Sequence, residues 1–224
     1  MVEKEVSAKS VNDVLGLDVN YANLTLSDGA RIPVKGFIKA LTFKARVEAI
    51  QQKYPKKWRY VKGIRKAISR FGVRAKNIIK DTVNQLAVQV VKITSQKNSA
   101  LAIEDLKKLN SGFKIFSKNQ RIRLHLWAYK KLLKTIEFKA GVEGIPVIKV
   151  NPKGTSTKCP ICQSKLKEVS YRRLRCPSCG FEADRDYIGA LNVKMKAFSG
   201  GLDSPQPDVN PNGMKGKSLG AKSP

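Results

Sequence analysis

Four cysteines stand in two pairs, Cys159-Pro-Ile-Cys162 and Cys176-Pro-Ser-Cys179, with 13 residues between the pairs. Each CxxC turn can set two thiolates on one ion, and two such turns complete a tetrahedron at about 2.3 Å per metal–sulfur bond. The spacing predicts a structural Zn²⁺ site; a redox dithiol or an iron–sulfur site is the alternative. The stretch KLKEVSYRRLR between the pairs suits the strands of a zinc ribbon. A Cys₄ site is coordinatively closed, so it holds structure and does not turn over substrate. Thr157, Lys158, Arg172, Arg173 and Arg175 around it are candidates for nucleic-acid contact, or simply a solvated rim.

The candidates for chemistry are acids in unusual places. Asp18 interrupts the apolar run Val14 to Val19, Glu104 ends the apolar run Leu101 to Ile103, and Asp186 falls in the first turn of the last helical pattern. A desolvated carboxylate needs a partner or a cation. Taken singly, each has an ordinary explanation: a strand-end bond, a solvated terminus, or an acid favoured by the helix dipole. Taken together, acids from two adjacent strands and a helix converge as they do around the paired Mg²⁺ ions of RNase H-like nucleases. Hard oxygen donors suit Mg²⁺ or Mn²⁺, and two such ions hydrolyse a phosphodiester.

The elements that must position these residues follow from the patterning. Val14–Val19, Asn23–Leu26 and a strand around Ile32–Val34, joined by the turn Ser27-Asp28-Gly29, predict a β-meander. From about Ile38 to Lys97 apolar residues recur three and four apart, which predicts helix. A strand at Leu101–Ile103, a helix from about Asn119 to Gly141, a strand in IPVIKVNP and a short helix over 185–198 complete the order. That order predicts an α/β domain, a mixed sheet with helices packed on it. The segment QQKYPKKWRYVKGIRKAISR is strongly basic, with Tyr54, Trp58 and Tyr60 interleaved. It reads either as a solvated helix whose aromatics anchor the core or as a phosphate-tracking surface with stacking platforms. The tail 199–224 is rich in Ser, Gly and Pro without periodicity, and is expected to be disordered.

With 44 Lys and Arg against 17 Asp and Glu, the net charge is +27, far beyond what solubility requires. Such an excess points to a polyanion, with nucleic acid first and a membrane surface as competitor. No run approaches the roughly 18 to 20 apolar residues that span a bilayer, and the polar N-terminus lacks the centre of a signal peptide. The expectation is an intracellular, cytoplasmic protein associated with the prokaryotic nucleoid, with its thiols reduced.

The run IEFKAGVEGIPVIKVNPKGTSTKCPICQSK, continuing to RCPSCGFEADRDYIGALNV, resembles the C-terminal half of TnpB (OrfB) proteins of insertion sequences. LGLDVNYANLTLSDG is similar to that family's first RuvC segment and LAIEDL to its second, so the resemblance covers about residues 11 to 198. It implies a transposon-encoded, RNA-guided DNA nuclease, with an RNase H-like (RuvC) domain and an inserted Cys₄ zinc ribbon. On the matching positions it makes Asp18, Glu104 and Asp186 the catalytic, Mg²⁺-binding acids. Asp186 lies in an Asp-x-x-x-Ala-x-Asn context ending at Ala190 and Asn192. Cys159, Cys162, Cys176 and Cys179 become the zinc ligands, Asp184 a helix cap, and Asp105 has no catalytic counterpart. The implied division is 11–154 for the first part of the nuclease domain, 155–183 for the ribbon and 184–198 for the final helix. DNA is the implied substrate and guide RNA the partner of the full-length family, and no membrane is implied. Family members carry a guide-binding portion ahead of the first RuvC strand, and this chain is expected to lack it. A non-catalytic, nucleic-acid-binding remnant is the competing expectation, and a ribosomal-type ribbon protein a third that leaves Asp18 unexplained.

Overall fold

The computed structural model describes residues 10–20, 22–105 and 120–199. The polar N-terminus and, beyond Ser199, the tail expected to be disordered lie outside them. Strands β1 (Asp13–Val19), β2 (Asn23–Leu26), β3 (Arg31–Pro33), β4 (Ser99–Glu104) and β5 (Val147–Val150) form one sheet in the order β3-β2-β1-β4-β5. The first three are the antiparallel meander, turned at Gly29 with φ 90°. β4 and β5 run parallel to β1. Parallel neighbours need crossovers. Helices α1 (Lys35–Lys53) and α2 (Lys62–Gln96) carry the chain from β3 to β4, and α3 (Gln120–Val142) leads to β5.

The central strands are covered on both faces, which is why they read as nearly continuous apolar runs. Leu15 and Leu17 of β1, with Leu101 and Ile103 of β4, face one core, where they meet Ile79, Val83, Leu86 and Val90 of α2 and Leu132 and Ile136 of α3. The alternate residues face the other way. Val14, Ala100, Ala102 and Val150 pack against Val193, Ala197 and Phe198 of the last helix, α4 (Arg185–Phe198). Small residues let this helix lie close: a Cβ on Gly16 would fall 2.2 Å from the Ala190 carbonyl oxygen. The result is three layers, with α1 to α3 on one face of the sheet and α4 on the other.

A second, antiparallel sheet holds β6 (Lys167–Ser170), β7 (Arg173–Arg175) and β8 (Glu182–Asp184) in that order. The hairpin β6–β7 falls where the ribbon strands are expected. β8 is not legible in the sequence, because a three-residue Glu-Ala-Asp strand carries no period. Leu166, Leu174, Phe181 and Ala183 form the ribbon's core with Cys159 and Cys176, and that core continues into Ile188 and Leu191 of α4. Ribbon and final helix therefore share one apolar cluster, with β8 ending on Asp184, the residue that caps α4.

Candidate metal centres

The ribbon site is built from two turns. Cys159 and Cys176 are buried, Cys162 and Cys179 exposed, and all are free thiols. The Sγ atoms of Cys159 and Cys179 lie 3.6 Å apart and those of Cys162 and Cys176 3.4 Å. All four sulfurs fall within 4.8 Å of one another. A tetrahedron with bonds of about 2.3 Å has edges of about 3.8 Å, so the donor set fits one zinc-sized ion. Hydrogen bonds from Ser164, then from Cys176, bring the Cys162 thiol down to about 6. Burial pushes Cys159 up, so a nearby cation is what allows both to be thiolates together. Among the described residues these cysteines are the group whose ligand atoms meet so tightly.

The acids gather around the start of α4, the helix that the ribbon packs against. Asp18 lies on β1 on the face shared with Val14 and Gly16, turned toward α4: a Cβ on Gly189 would fall 2.9 Å from its Oδ1. Glu104 ends β4 on the face of Ala100 and Ala102, and the parallel register pairs Leu17 with Ile103, one residue before each acid. Asp186 is in the first turn of α4 and only 4% exposed. The helix N-terminus adds its positive end to this spot. Burial, then Glu104, then Asp186 raise the Asp18 carboxyl from 3.8 to about 7, against the opposing pull of Arg172 and Arg185. The acids thus stand in one another's field. They are not drawn together as tightly as the four sulfurs.

Several residues hold this arrangement. Asn20 Nδ2 donates to Asp18 Oδ2 at 2.6 Å, and the Thr155 hydroxyl donates to Glu104 Oε1 at 2.6 Å. The buried Asn192 amide donates to the carbonyls of Thr155 (2.7 Å) and Lys158 (2.8 Å). A chain of bonds therefore runs from α4 through the start of the ribbon to Glu104. Asp184 caps α4 by accepting from the Asp186 amide at 2.9 Å, as expected, and pairs with Arg31 at 3.2 Å. Arg172, at the ribbon's hairpin turn with φ 61°, ion-pairs with Asp186, and its carbonyl accepts from the Arg185 amide at 2.8 Å. Sequence reasoning placed Arg172 on a nucleic-acid rim and missed its reach to Asp186. It missed Thr155, Asn20 and Gly189 altogether, since each acts across a distance in sequence that no local pattern records. Asn192 entered only as part of the family motif.

A family model described as Cas12f1-like, TNB domain, matches residues 129–193, the stretch from α3 through the ribbon into α4. A TnpB-like protein of Methanocaldococcus jannaschii is 30% identical over 91% of this chain and 76% of its own length. The chain belongs to the TnpB-like family. The CRISPR-associated endodeoxyribonuclease Cas12f1 of Sulfoacidibacillus thermotolerans is 23% identical over 86% of this chain, which spans 48% of that relative. Among solved structures, Cas12f1 in a complex with sgRNA and target DNA has the same fold. Its TM-score is 0.59 at 18% identity, over 84% of this chain and 39% of that one. The mixed α/β fold with a four-cysteine cluster is thus that of an RNase H-like member of this family. No helix among the described residues is long and apolar enough to cross a membrane.

Proposed function

We propose that this chain is a metal-dependent DNA endonuclease with a RuvC-type centre formed by Asp18, Glu104 and Asp186. The observation that carries the reading is the half-buried Asp18 turned toward the first turn of α4, its carboxyl pushed up to about 7 by desolvation and by Glu104 and Asp186. Three carboxyl groups at the ends of two adjacent parallel strands and a helix N-terminus suit divalent cations with oxygen ligands. Asp18, Glu104 and Asp186 would hold two Mg²⁺ or Mn²⁺ ions, which would supply an activated water and stabilisation of the leaving oxygen for hydrolysis that leaves a 3′-hydroxyl. The chain's own residues do the positioning. Asn20 and Thr155 orient Asp18 and Glu104, Asp184 sets the helix start that aims Asp186, and Arg172 balances Asp186 when a cation is absent.

In this reading residues 11–154 and 184–198 make the nuclease domain, and 155–183 form a ribbon around structural Zn²⁺. The protein acts in the cytoplasm at the nucleoid, on DNA, with guide RNA as the partner in the full-length family. Named relatives support the class: one is called an endodeoxyribonuclease, and the structural neighbour holds guide RNA and target DNA. One observation favours a second reading, a non-catalytic nucleic-acid-binding module: Arg172 already neutralises Asp186. Incubation of labelled single-stranded DNA with the full chain and Mg²⁺ separates the two. Cleavage that disappears in Asp18→Ala, Glu104→Ala and Asp186→Ala, with folding and DNA binding nearly unchanged, is the expected result. Full activity in any of these variants refutes the assignment, and micromolar binding without cleavage selects the second reading.

A further inference from the structure

α1 and α2 reach well past the core they help to build. Gly36 at the start of α1 abuts Thr82 midway along α2. Burial ends at Val47 on α1 and Ala75 on α2. From the Gly36–Thr82 contact both helices continue as a pair, bridged by Phe43 and Phe71 with ring centroids 6.1 Å apart and Arg46 over both. At roughly 1.5 Å per residue the paired stretch extends about 26 to 30 Å to its tip. It departs from the end of the sheet at which the acids stand, on the opposite face from them, because α1 follows β3, and β3 and β1 end on the same side.

The surface of this arm has one sign. Residues 49 to 80 contain eleven Lys and Arg, all exposed, and no acid. Its tip, between the two helices, carries the aromatics. Arg59 stacks over Trp58 at 4.9 Å, Lys53 lies over Tyr54 at 5.5 Å, and Tyr60 is 81% exposed. A Tyr that anchored the core would be covered, so the core-anchor reading does not hold for Tyr60. Dispersed cations bind phosphates by counterion release, and an open ring beside a cation stacks an unpaired base.

We propose that the arm holds the single-stranded DNA that enters the acid centre, its phosphates along the basic helices and unpaired bases against Tyr60 and Trp58 at the tip. The choice of DNA rests on the nuclease reading, since the arm rises from the same end of the sheet as the acids. At 3.4 Å per nucleotide, about nine nucleotides span the paired stretch itself.

The test is fluorescence anisotropy of the full chain carrying Asp18→Ala, with labelled 24-nucleotide and 6-nucleotide single strands in Mg²⁺. Tyr60→Ala is expected to weaken binding of the long strand about tenfold, with Tyr60→Phe retaining it. Lys56→Ala with Lys57→Ala is expected to weaken binding and to lower the salt slope by about 1.4. The charge-matched pair Lys92→Ala with Lys134→Ala, exposed on the body, should change little. The 6-nucleotide strand should be insensitive to Tyr60→Ala when it occupies the acid end. Equal losses from arm and body pairs overturn the proposal. So does an unchanged affinity in Tyr60→Ala, or tighter arm-dependent binding of RNA, duplex or anionic vesicles than of the single strand. Cleavage by the wild-type chain with arm-independent binding refutes the arm alone. Arm-dependent binding with no cleavage by the wild type refutes the acid centre and leaves the arm standing.

Discussion

Asp18 is the residue on which the proposed chemistry and the stability of this domain meet. Its folded carboxyl titrates at about 7 against 3.8 when unperturbed. Because the folded value is the higher one, folding takes up a proton in this window. The carboxyl therefore costs nothing extra below 3.8, and the cost of charging it in place grows as pH rises to about 7. In metal-free buffer Asp18→Asn is expected to melt above the wild type by a margin that widens from pH 4 to pH 7 and then levels off. A pH-independent margin in differential scanning calorimetry would show that Asp18 is not held in this way. Ligation needs the carboxylate, so Mg²⁺ binding at pH 6 should release close to one proton in calorimetry repeated across buffers. The anomaly of an acid in an apolar strand was visible in the sequence. The partners of the other two acids, Thr155 at Glu104 and Arg172 at Asp186, were not, because Thr155 and Glu104 stand 51 residues apart and meet only through the fold.

Among the elements, α4 carries most of the burden, touching both the sheet and the ribbon. Its approach to β1 depends on the absence of two side chains. A Cβ on Gly16 would meet backbone, the Ala190 oxygen at 2.2 Å and the Lys194 nitrogen at 2.6 Å, neither of which can swing aside. Gly16→Ala should therefore lower stability by about 3 kcal/mol in urea unfolding, and wild-type stability would show that the helix rides further out. Gly189→Ala presses instead on Asp18, at 2.9 Å from Oδ1. Here the expected outcome is a modest loss of stability, about 1 kcal/mol, with at least a tenfold loss of Mg²⁺-dependent cleavage. Helix α4 over 185–198, the cap at Asp184 and the two runs preceding Asp18 and Glu104 were legible, since caps and apolar periods are local. β8 was not: its three residues owe their conformation to pairing with β7 rather than to propensity.

At the scale of the molecule, the ribbon is a clamp on the acid centre. Its cysteine cluster runs into Ile188 and Leu191, its hairpin turn supplies Arg172 to Asp186, and its first loop supplies Thr155 to Glu104. Loss of the bound metal should therefore loosen the acids while the five-stranded sheet, with its separate core against α1 to α3, persists. Titration of the thiols is expected to release one Zn²⁺ per chain. Cys176→Ser should raise amide exchange over residues 155–191 and leave β1 and β4 protected. Uniform loss of protection would show instead that ribbon and sheet fold as one unit. The sequence by itself determined the metal-ligand spacing, the basic excess, the order of elements and the acids that an apolar strand would otherwise exclude. Composition and short-range period are local properties of the chain. The tertiary structure decided which residues surround those acids, that one helix is shared by ribbon and sheet, and that the basic aromatic segment is an exposed arm. Those outcomes depend on close approach between backbone segments tens of residues apart, and no local pattern encodes such contacts.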